Sequence, residues 1–265
     1  MRIGFIGAGK MAEAMISALI GAKVVGPHEV FASDKSADRR RLLKQKHGVN
    51  TYSTNLVVAG DSPIVVLAVK PQNLDGVLAE IAHVITGEHL VVSIAAGKRL
   101  EYLQSGLPSA RLVRVMPNMA VVVREGMSAF CAGQTATQAD RQVVARLFSC
   151  FGRAVELPED LFDTVTALSG SGPAFFAYLL QEMVNAAVGG GLSRTDALLL
   201  AEQTMLGTSR VLLEQSMDPA ALISAVASPG GTTEAGLEVL KKTDIGRILS
   251  QTIVAAAKRS RELSK

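Results

Sequence analysis

The sequence predicts an α/β fold: a doubly wound parallel sheet over residues 1–158, followed by an all-α domain over 159–265. Three observations predict it. A strand-like opening, Ile3 to Ile6, runs directly into a glycine-rich turn and then an Ala-rich apolar helical stretch. Up to about residue 158, short β-rich runs alternate with helical patterns, as in a parallel sheet with right-handed crossovers. Beyond Pro158 no convincing strand pattern returns.

The elements follow in order. Gly7-Ala8-Gly9-Lys10-Met11-Ala12 is a G-x-G-x-x-A turn. Gly7 permits the tight strand-to-helix reversal, Gly9 lets a pyrophosphate approach the backbone, and small Ala12 lets the helix pack on the strand. Free N–H groups at the helix start favour negative charge. In this setting the turn marks a Rossmann-type dinucleotide-binding domain. Further strands are expected at Val30–Ser33, Ile64–Val69, Leu90–Ile94, Leu112–Met116, Met127–Ala132 and Ala154–Leu157. Ile64–Val69 is continuously apolar, as a strand covered on both faces requires. Helices are expected near 36–47, 73–84, 99–106 and 137–151, the last opened by Thr137 and Asp140 as a capping pair.

After Pro158, residues 159–168 read as helical, and Ser169-Gly170-Ser171-Gly172-Pro173 breaks or kinks the chain. A long apolar helix runs to about Val188 and ends in Gly189-Gly190-Gly191. Ser193 with Asp196 starts the next, Asp218-Pro219 another, and two more fill 231–242 and 244–264. The helix at 174–188 is apolar nearly all round, more than a small helical domain can cover. That predicts burial in a homodimer formed through the helical domain.

Composition narrows the function classes. The chain has 265 residues, 48% hydrophobic, 19% charged and 4% aromatic, which suits a soluble protein with an aliphatic core. A net charge of +3 is too small to imply a nucleic-acid partner, and Arg39-Arg40-Arg41 reads as the exposed face of a helix. Cys131 and Cys150 have neither a disulfide framework nor metal-ligand spacing, and read as buried thiols of a reducing cytoplasm. His28, His47, His83 and His89 have no ligand spacing, so no metal is expected. The opening is strand-like rather than a basic segment before an apolar core, so no signal peptide is expected. The apolar stretch 172–192 contains Gln181, Glu182 and Asn185, which fits a buried helix and not a membrane span.

Ligand groups are expected at the C-terminal ends of strands. Lys70, after Val69, either contacts the ribose or phosphate of a dinucleotide or is a solvated lysine. Ala95-Ala96-Gly97 is small enough for a nicotinamide ring to approach, or simply for tight strand-to-helix packing. Val30–Ser33 ends in Asp34-Lys35-Ser36, where adenine-ribose recognition belongs. An acid there favours NAD, and a cation favours the extra phosphate of NADP. Asp34 and Lys35 are both present, Arg39 and Arg40 lie beyond, and Ser33 could donate to a phosphate. The cofactor reading is NADPH or NADH, leaning slightly to NADPH.

Between Ala154 and Leu240 there is no Lys or His, and the cations are Arg194 and Arg210. An enzyme that oxidises alcohols needs a general base, usually His or Lys. Hydride delivery to an already protonated C=N bond does not. It needs a positioned cofactor, a hydrogen-bonding group near nitrogen and an anchor for a carboxylate. Ser228-Pro229-Gly230-Gly231-Thr232-Thr233, entering a helix, offers both of the latter. The amides of Gly230 to Thr233 lie at a helix N-terminus, and Ser228, Thr232 and Thr233 supply hydroxyls. The alternative is a capped helix behind a glycine turn with no ligand.

The segment Ala227–Leu237 resembles the signature of pyrroline-5-carboxylate reductases. Gly4–Ala12, Leu67–Gln72, Val92–Gly97, Met116-Pro117-Asn118 and Val165–Pro173 resemble the family in the same order, so the likeness covers essentially the whole chain. The resemblance implies reduction of 1-pyrroline-5-carboxylate to L-proline with NADPH or NADH, the last step of proline biosynthesis. It implies a helical domain over 159–265 that binds substrate and interlocks in a dimer, sometimes assembled into decamers. Matched by motif, Thr233 is the catalytic residue and hydrogen-bonds the ring nitrogen, while Gly230, Gly231 and Thr232 hold the carboxylate through their amides. Gly7, Gly9, Lys10 and Met11 contact the pyrophosphate, and Ser33 and Asn55 lie near the adenosine half. Ala68, Val69, Lys70 and Ala96 line the nicotinamide half. The chain departs from many relatives at Met119-Ala120, where they read Thr-Pro, and at Asp34-Lys35, where they often carry neutral or Arg-containing sequences. A β-hydroxyacid dehydrogenase shares the two-domain plan but should carry a catalytic Lys in the helix at 174–188, which has none. A non-catalytic NAD(P)-sensing protein would bind the cofactor without turnover.

Overall fold

A computed structural model describes residues 1–264. Eight strands form one sheet: β1 (Ile3–Ile6), β2 (Val30–Ser33), β3 (Asn50–Tyr52), β4 (Ile64–Leu67), β5 (Leu90–Ser93), β6 (Arg111–Pro117), β7 (Gly126–Ala132) and β8 (Gly152–Glu156). Their spatial order is β3-β2-β1-β4-β5-β6-β7-β8. The winding reverses at β1, which has β2 on one side and β4 on the other, in parallel register with both. In open α/β sheets that reversal marks the ligand crevice. One pairing departs from the uniformly parallel sheet expected: β6 and β7 run antiparallel, with Val115 opposite Phe130. Residues 118–125 join them, too short a segment for the crossover that a parallel pair needs.

The helices are α1 (Lys10–Gly21), α2 (Ala37–His47), α3 (Asn55–Asp61), α4 (Leu74–Ile81), α5 (Leu100–Gly106) and α6 (Gln138–Ser149), then α7 (Phe162–Val165), α8 (Gly172–Gly189), α9 (Arg194–Glu214), α10 (Pro219–Val226), α11 (Thr232–Lys242) and α12 (Ile245–Leu263). The capping pair at α6 is present: Thr137 Oγ1 accepts the Asp140 N–H at 3.2 Å, and Asp140 accepts the Thr137 N–H at 2.8 Å. The expected kink after 168 is a wide π-type turn over Thr166–Gly170, closed by the Ser171 N–H donating to the Thr166 carbonyl at 2.8 Å.

By contacts the chain divides into two compact units, residues 1–171 with the tail from Ala255, and residues 172–254. In the first, β1 sends Ile3 and Phe5 against Ala12, Met15, Ile16 and Leu19 of α1. Its other face buries Ile6 with Leu74, Leu78 and Ile81 of α4. The continuous apolar run of β4 has the same cause, since Ile64 and Val66 enter one core and Val65 and Leu67 the other. In the second unit, α8 buries Gly172 and Val184, and α9 buries Ala197. Phe176, Tyr178, Met183, Leu199 and Leu200 are each more than half exposed. Among the described residues no helix is long and apolar enough to cross a membrane.

Candidate active site

The dinucleotide half begins where β1 ends. Gly7 has φ +100°, and a Cβ there would stand 2.7 Å from the Ala68 carbonyl oxygen. Glycine alone satisfies both the backbone angle and the close approach. The Gly7 N–H donates to the Ser33 carbonyl and the Ala68 N–H to the Ile6 carbonyl, both at 2.8 Å, so the crevice beside β1 has a fixed backbone. Gly9 differs. Its φ of −67° suits any residue, and a Cβ would meet nothing within 4 Å. Nothing in the chain requires glycine at this position, and its absent side chain leaves the space that a ligand would need. Gly9 caps α1 without a side-chain hydrogen bond, so the N–H groups of Lys10, Met11 and Ala12 have no intrahelical partner. An uncapped helix start behind a sterically open glycine fits a pyrophosphate.

Gly7, Ser33, Asp34, Lys35, Asn55 and Val69 line one cleft of about 400 Å³. Asp34 acts there as a brace. Its Oδ2 accepts the Ala8 N–H and its Oδ1 the Ser36 N–H, each at 2.8 Å, tying the loop after β2 to the glycine turn. Arg39 donates Nε–H to the Ala8 carbonyl at 2.7 Å and reaches Glu13 at 2.8 Å. Arg40 donates to the Asp34 and Lys35 carbonyls at 2.6 and 3.0 Å. These two arginines are therefore held by the chain rather than forming the solvated face expected; of the three, Arg41 is exposed. Lys35 is the exposed cation of the cleft. Lys46, at 2.8 Å, and then Arg39 hold the Glu13 carboxyl below its ordinary range against the opposing effect of burial.

Ser33 does not match the role of phosphate donor. It is fully buried, and its hydroxyl donates to Asn55 Oδ1 at 2.7 Å. Gln72, the last residue of the Leu67–Gln72 motif, also lines the cleft, as do Asn73 and Glu80, to which no sequence pattern points. Beyond β4, Ala68 and Val69 are half-buried, and Lys70 is exposed and lies outside the cleft lining. The two readings of Ala95-Ala96-Gly97 divide between residues. Gly97, at φ +75°, would place a Cβ 3.1 Å from the Leu263 carbonyl oxygen, so it serves packing, whereas Ala96 is exposed. In the departing loop, Asn118 Oδ1 accepts the N–H groups of Ala120 and Met127 at 3.2 Å, and Met119 is exposed.

The other candidate half is the turn before α11. Gly230 has φ +71°, and the Gly231 N–H donates to the Ser228 carbonyl at 3.0 Å. A Cβ on Gly231 would stand 2.5 Å from Ser228 Oγ. The Gly230 N–H donates to Glu234 Oε2 at 2.6 Å. Gly230 and Gly231 thus already have partners within the chain. Gly231 caps α11 with no side-chain hydrogen bond, so Thr232 and Thr233 at the helix start keep N–H groups without intrahelical partners. Thr233 is half-buried, and Ser228 and Thr232 are exposed. Glu234 is a residue that sequence reasoning missed; its signal is an acid at the third helical position, able to reach back past the cap.

Among the described residues no cluster of three His, Cys, Asp or Glu side chains could hold a metal ion. Burial pushes the Cys131 thiol up to about 12, which keeps it protonated and unreactive.

Residues 159–263 match the family model for pyrroline-5-carboxylate reductase dimerisation, and residues 2–97 match that for NADP oxidoreductase, coenzyme F420-dependent. A pyrroline-5-carboxylate reductase of Methanosarcina acetivorans is 43% identical over 265 residues, spanning 100% of this chain and 98% of the relative. A solved pyrroline-5-carboxylate reductase from Coxiella burnetii resembles the chain with a TM-score of 0.95 at 34% identity, covering 100% and 98% of the two chains. Plasmodium falciparum pyrroline carboxylate reductase, solved with NADP bound, gives 0.88 at 28% identity over the same shares, 100% and 98%. With this extent of identity across its whole length, the chain belongs to the pyrroline-5-carboxylate reductase family.

Proposed function

We infer that the protein is an NAD(P)H-dependent oxidoreductase that reduces the C=N bond of 1-pyrroline-5-carboxylate to L-proline, the last step of proline biosynthesis. The start of α11 carries the reading. It offers free amides and a half-buried threonine hydroxyl with no basic side chain beside them in sequence, so it can anchor a carboxylate and touch a ring nitrogen without removing a proton.

When bound, the nicotinamide supplies a hydride to the ring carbon of the C=N bond. The chain binds and orients. The turn at Gly7 and Gly9, with the amides of Lys10 and Met11, holds the pyrophosphate. Asn55, Asp34 and Lys35 border the adenosine half, and Ser33 lies near it, buried behind Asn55. Ala68, Val69, Lys70 and Ala96 flank the nicotinamide half. The amides of Gly230, Gly231 and Thr232 take the substrate carboxylate, which replaces Glu234 on the Gly230 N–H and the Ser228 carbonyl on the Gly231 N–H. Ser228 borders that turn. Thr233 Oγ1 accepts a hydrogen bond from the iminium N–H and orients it. The ring nitrogen arrives protonated, so no general acid is required, and most of the rate comes from proximity and orientation.

NADPH is slightly favoured over NADH, supported by Lys35 at the cleft and by the relative solved with NADP. The helical region pairs two chains, supported by its exposed apolar side chains and its match to a dimerisation model; assembly of dimers into a decamer is what the family resemblance adds. Two free cysteines fit a reducing cytoplasm. The test is NADPH and NADH oxidation with 1-pyrroline-5-carboxylate, then reduction of both oxidised cofactors with 3-hydroxy acids. Turnover with the imine alone is expected. Turnover with hydroxy acids, or dinucleotide binding without any turnover, overturns the reading.

A further inference from the structure

Glu80 belongs to no motif of the family resemblance, yet it heads a chain of hydrogen bonds that ends in the dinucleotide cleft. From α4, its Oε1 accepts the Asn55 backbone N–H at 3.1 Å and the Thr54 hydroxyl at 3.5 Å. Its Oε2 accepts a hydrogen bond from Asn55 Nδ2 at 2.7 Å. An ionised carboxylate only accepts, so the Asn55 group facing it must be the amide nitrogen. Asn55 Oδ1 then faces Ser33, and an amide oxygen only accepts, so the buried hydroxyl must donate at 2.7 Å. The Asn55 side chain is thus held at both ends and cannot flip. It keeps one free N–H and one free oxygen lone pair. Glu80 also lines the cleft, where it and Asp34 are the carboxylates and Lys35 is the cation.

We propose that Glu80 is the positioning and specificity-determining residue of this cleft, because it locks the orientation of the Asn55 amide and its charge disfavours a phosphate on the adenosine ribose. The two effects separate. The lock acts on every dinucleotide. The charge acts against the dinucleotide bearing the 2′-phosphate, which carries close to two further negative charges. This inference rests on the dinucleotide reading proposed above.

The experiment compares NADPH and NADH kinetics, with melting temperatures, in Glu80→Gln, Glu80→Ala and Ser33→Ala. Glu80→Gln removes the charge and keeps one acceptor. It should raise the ratio of kcat/KM for NADPH over NADH by about fivefold, through KM. Glu80→Ala should raise KM for NADH by about tenfold with kcat within twofold. Ser33→Ala frees the other end of Asn55 and should raise both KM values by about fivefold. A Glu80→Gln ratio within twofold of the parent overturns the charge assignment. Unchanged KM values in the folded Ser33→Ala protein overturn the lock, and keep it testable should the Glu80 variants fail to fold. If the parent enzyme itself oxidises neither dinucleotide with the imine, the functional reading fails instead.

Discussion

The two compact units keep their apolar side chains in opposite places. In residues 1–171 both faces of the sheet are covered by helices, and the residues around Gly7 are held by hydrogen bonds from within the chain. In residues 172–254 the buried residues are Gly172, Val184 and Ala197, and the α8–α9 pair opens an apolar groove of about 660 Å³ that includes Met183 and Leu200. The first unit builds its own core, while the second leaves apolar faces exposed and lies within the match to a dimerisation model. The contrast teaches that the two proposed half-sites have different foundations. The proposed dinucleotide cleft is built within one unit of the chain, whereas the proposed imine-binding turn sits among helices that leave their apolar side chains exposed.

The largest effect should come from attacking that contrast directly. Leu200→Glu puts a charge into the apolar groove and should weaken the oligomer by roughly a thousandfold, about 4 kcal/mol, with activity lost at micromolar enzyme. Light scattering and dilution assays report it. An intact oligomer would remove Leu200 from the interface, whereas dinucleotide binding should survive in the dissociated chain.

Next is a pair within the glycine turn. Gly7→Ala combines φ +100° with a Cβ 2.7 Å from a carbonyl oxygen and should cost about 2–3 kcal/mol of stability. Gly9→Ala meets open space and should cost less than about 1 kcal/mol, yet raise the dinucleotide KM more than tenfold. Denaturant titration beside steady-state kinetics separates the two. Equal losses of stability would mean that Gly9 is also a packing glycine.

A step smaller, Thr233→Ala should lower kcat/KM for the imine by roughly 10–100-fold, the loss of one hydrogen bond to a charged group worth about 1.5–3 kcal/mol, with melting unchanged. Unaltered kinetics would take Thr233 out of the site. Smallest is an acid-side effect in the first unit. The Glu13 carboxyl is lowered by Lys46 and Arg39, so its contribution is present above the ordinary value near 4.5 and is lost as pH falls through the lower folded value. The melting-temperature gap between the parent and Glu13→Gln should therefore be present at neutral pH and close below pH 4.5. A gap that persists at low pH would show that the Glu13 contacts do not depend on its charge.

Much of the fold is legible in the chain. β1, β2, β4 and β5 are apolar runs ended by glycine or polar residues, and Thr137, Ser193 and Asp218 cap the helices they announce. β3 and α3 are not legible. Asn50-Thr51-Tyr52 has no apolar pattern and becomes a strand only because β2 offers its edge, with Phe31 opposite Asn50. That miss matters for the site, because α3 opens with Asn55. The antiparallel turn into β7 is equally invisible to periodicity, since strands of either direction share one pattern.

By itself the sequence determined the α/β and all-α halves, the glycine turn at Gly7 and Gly9, and the threonine turn before α11. These depend on short-range periodicity, steric size and spacing along the chain. The tertiary structure alone decided which remote polar groups are already engaged: Asp34 on Ala8, Ser33 on Asn55 and Asn55 on Glu80. A hydrogen bond depends on distance and angle at its two ends, and these ends meet only after the sheet and helices have brought remote segments of the chain together.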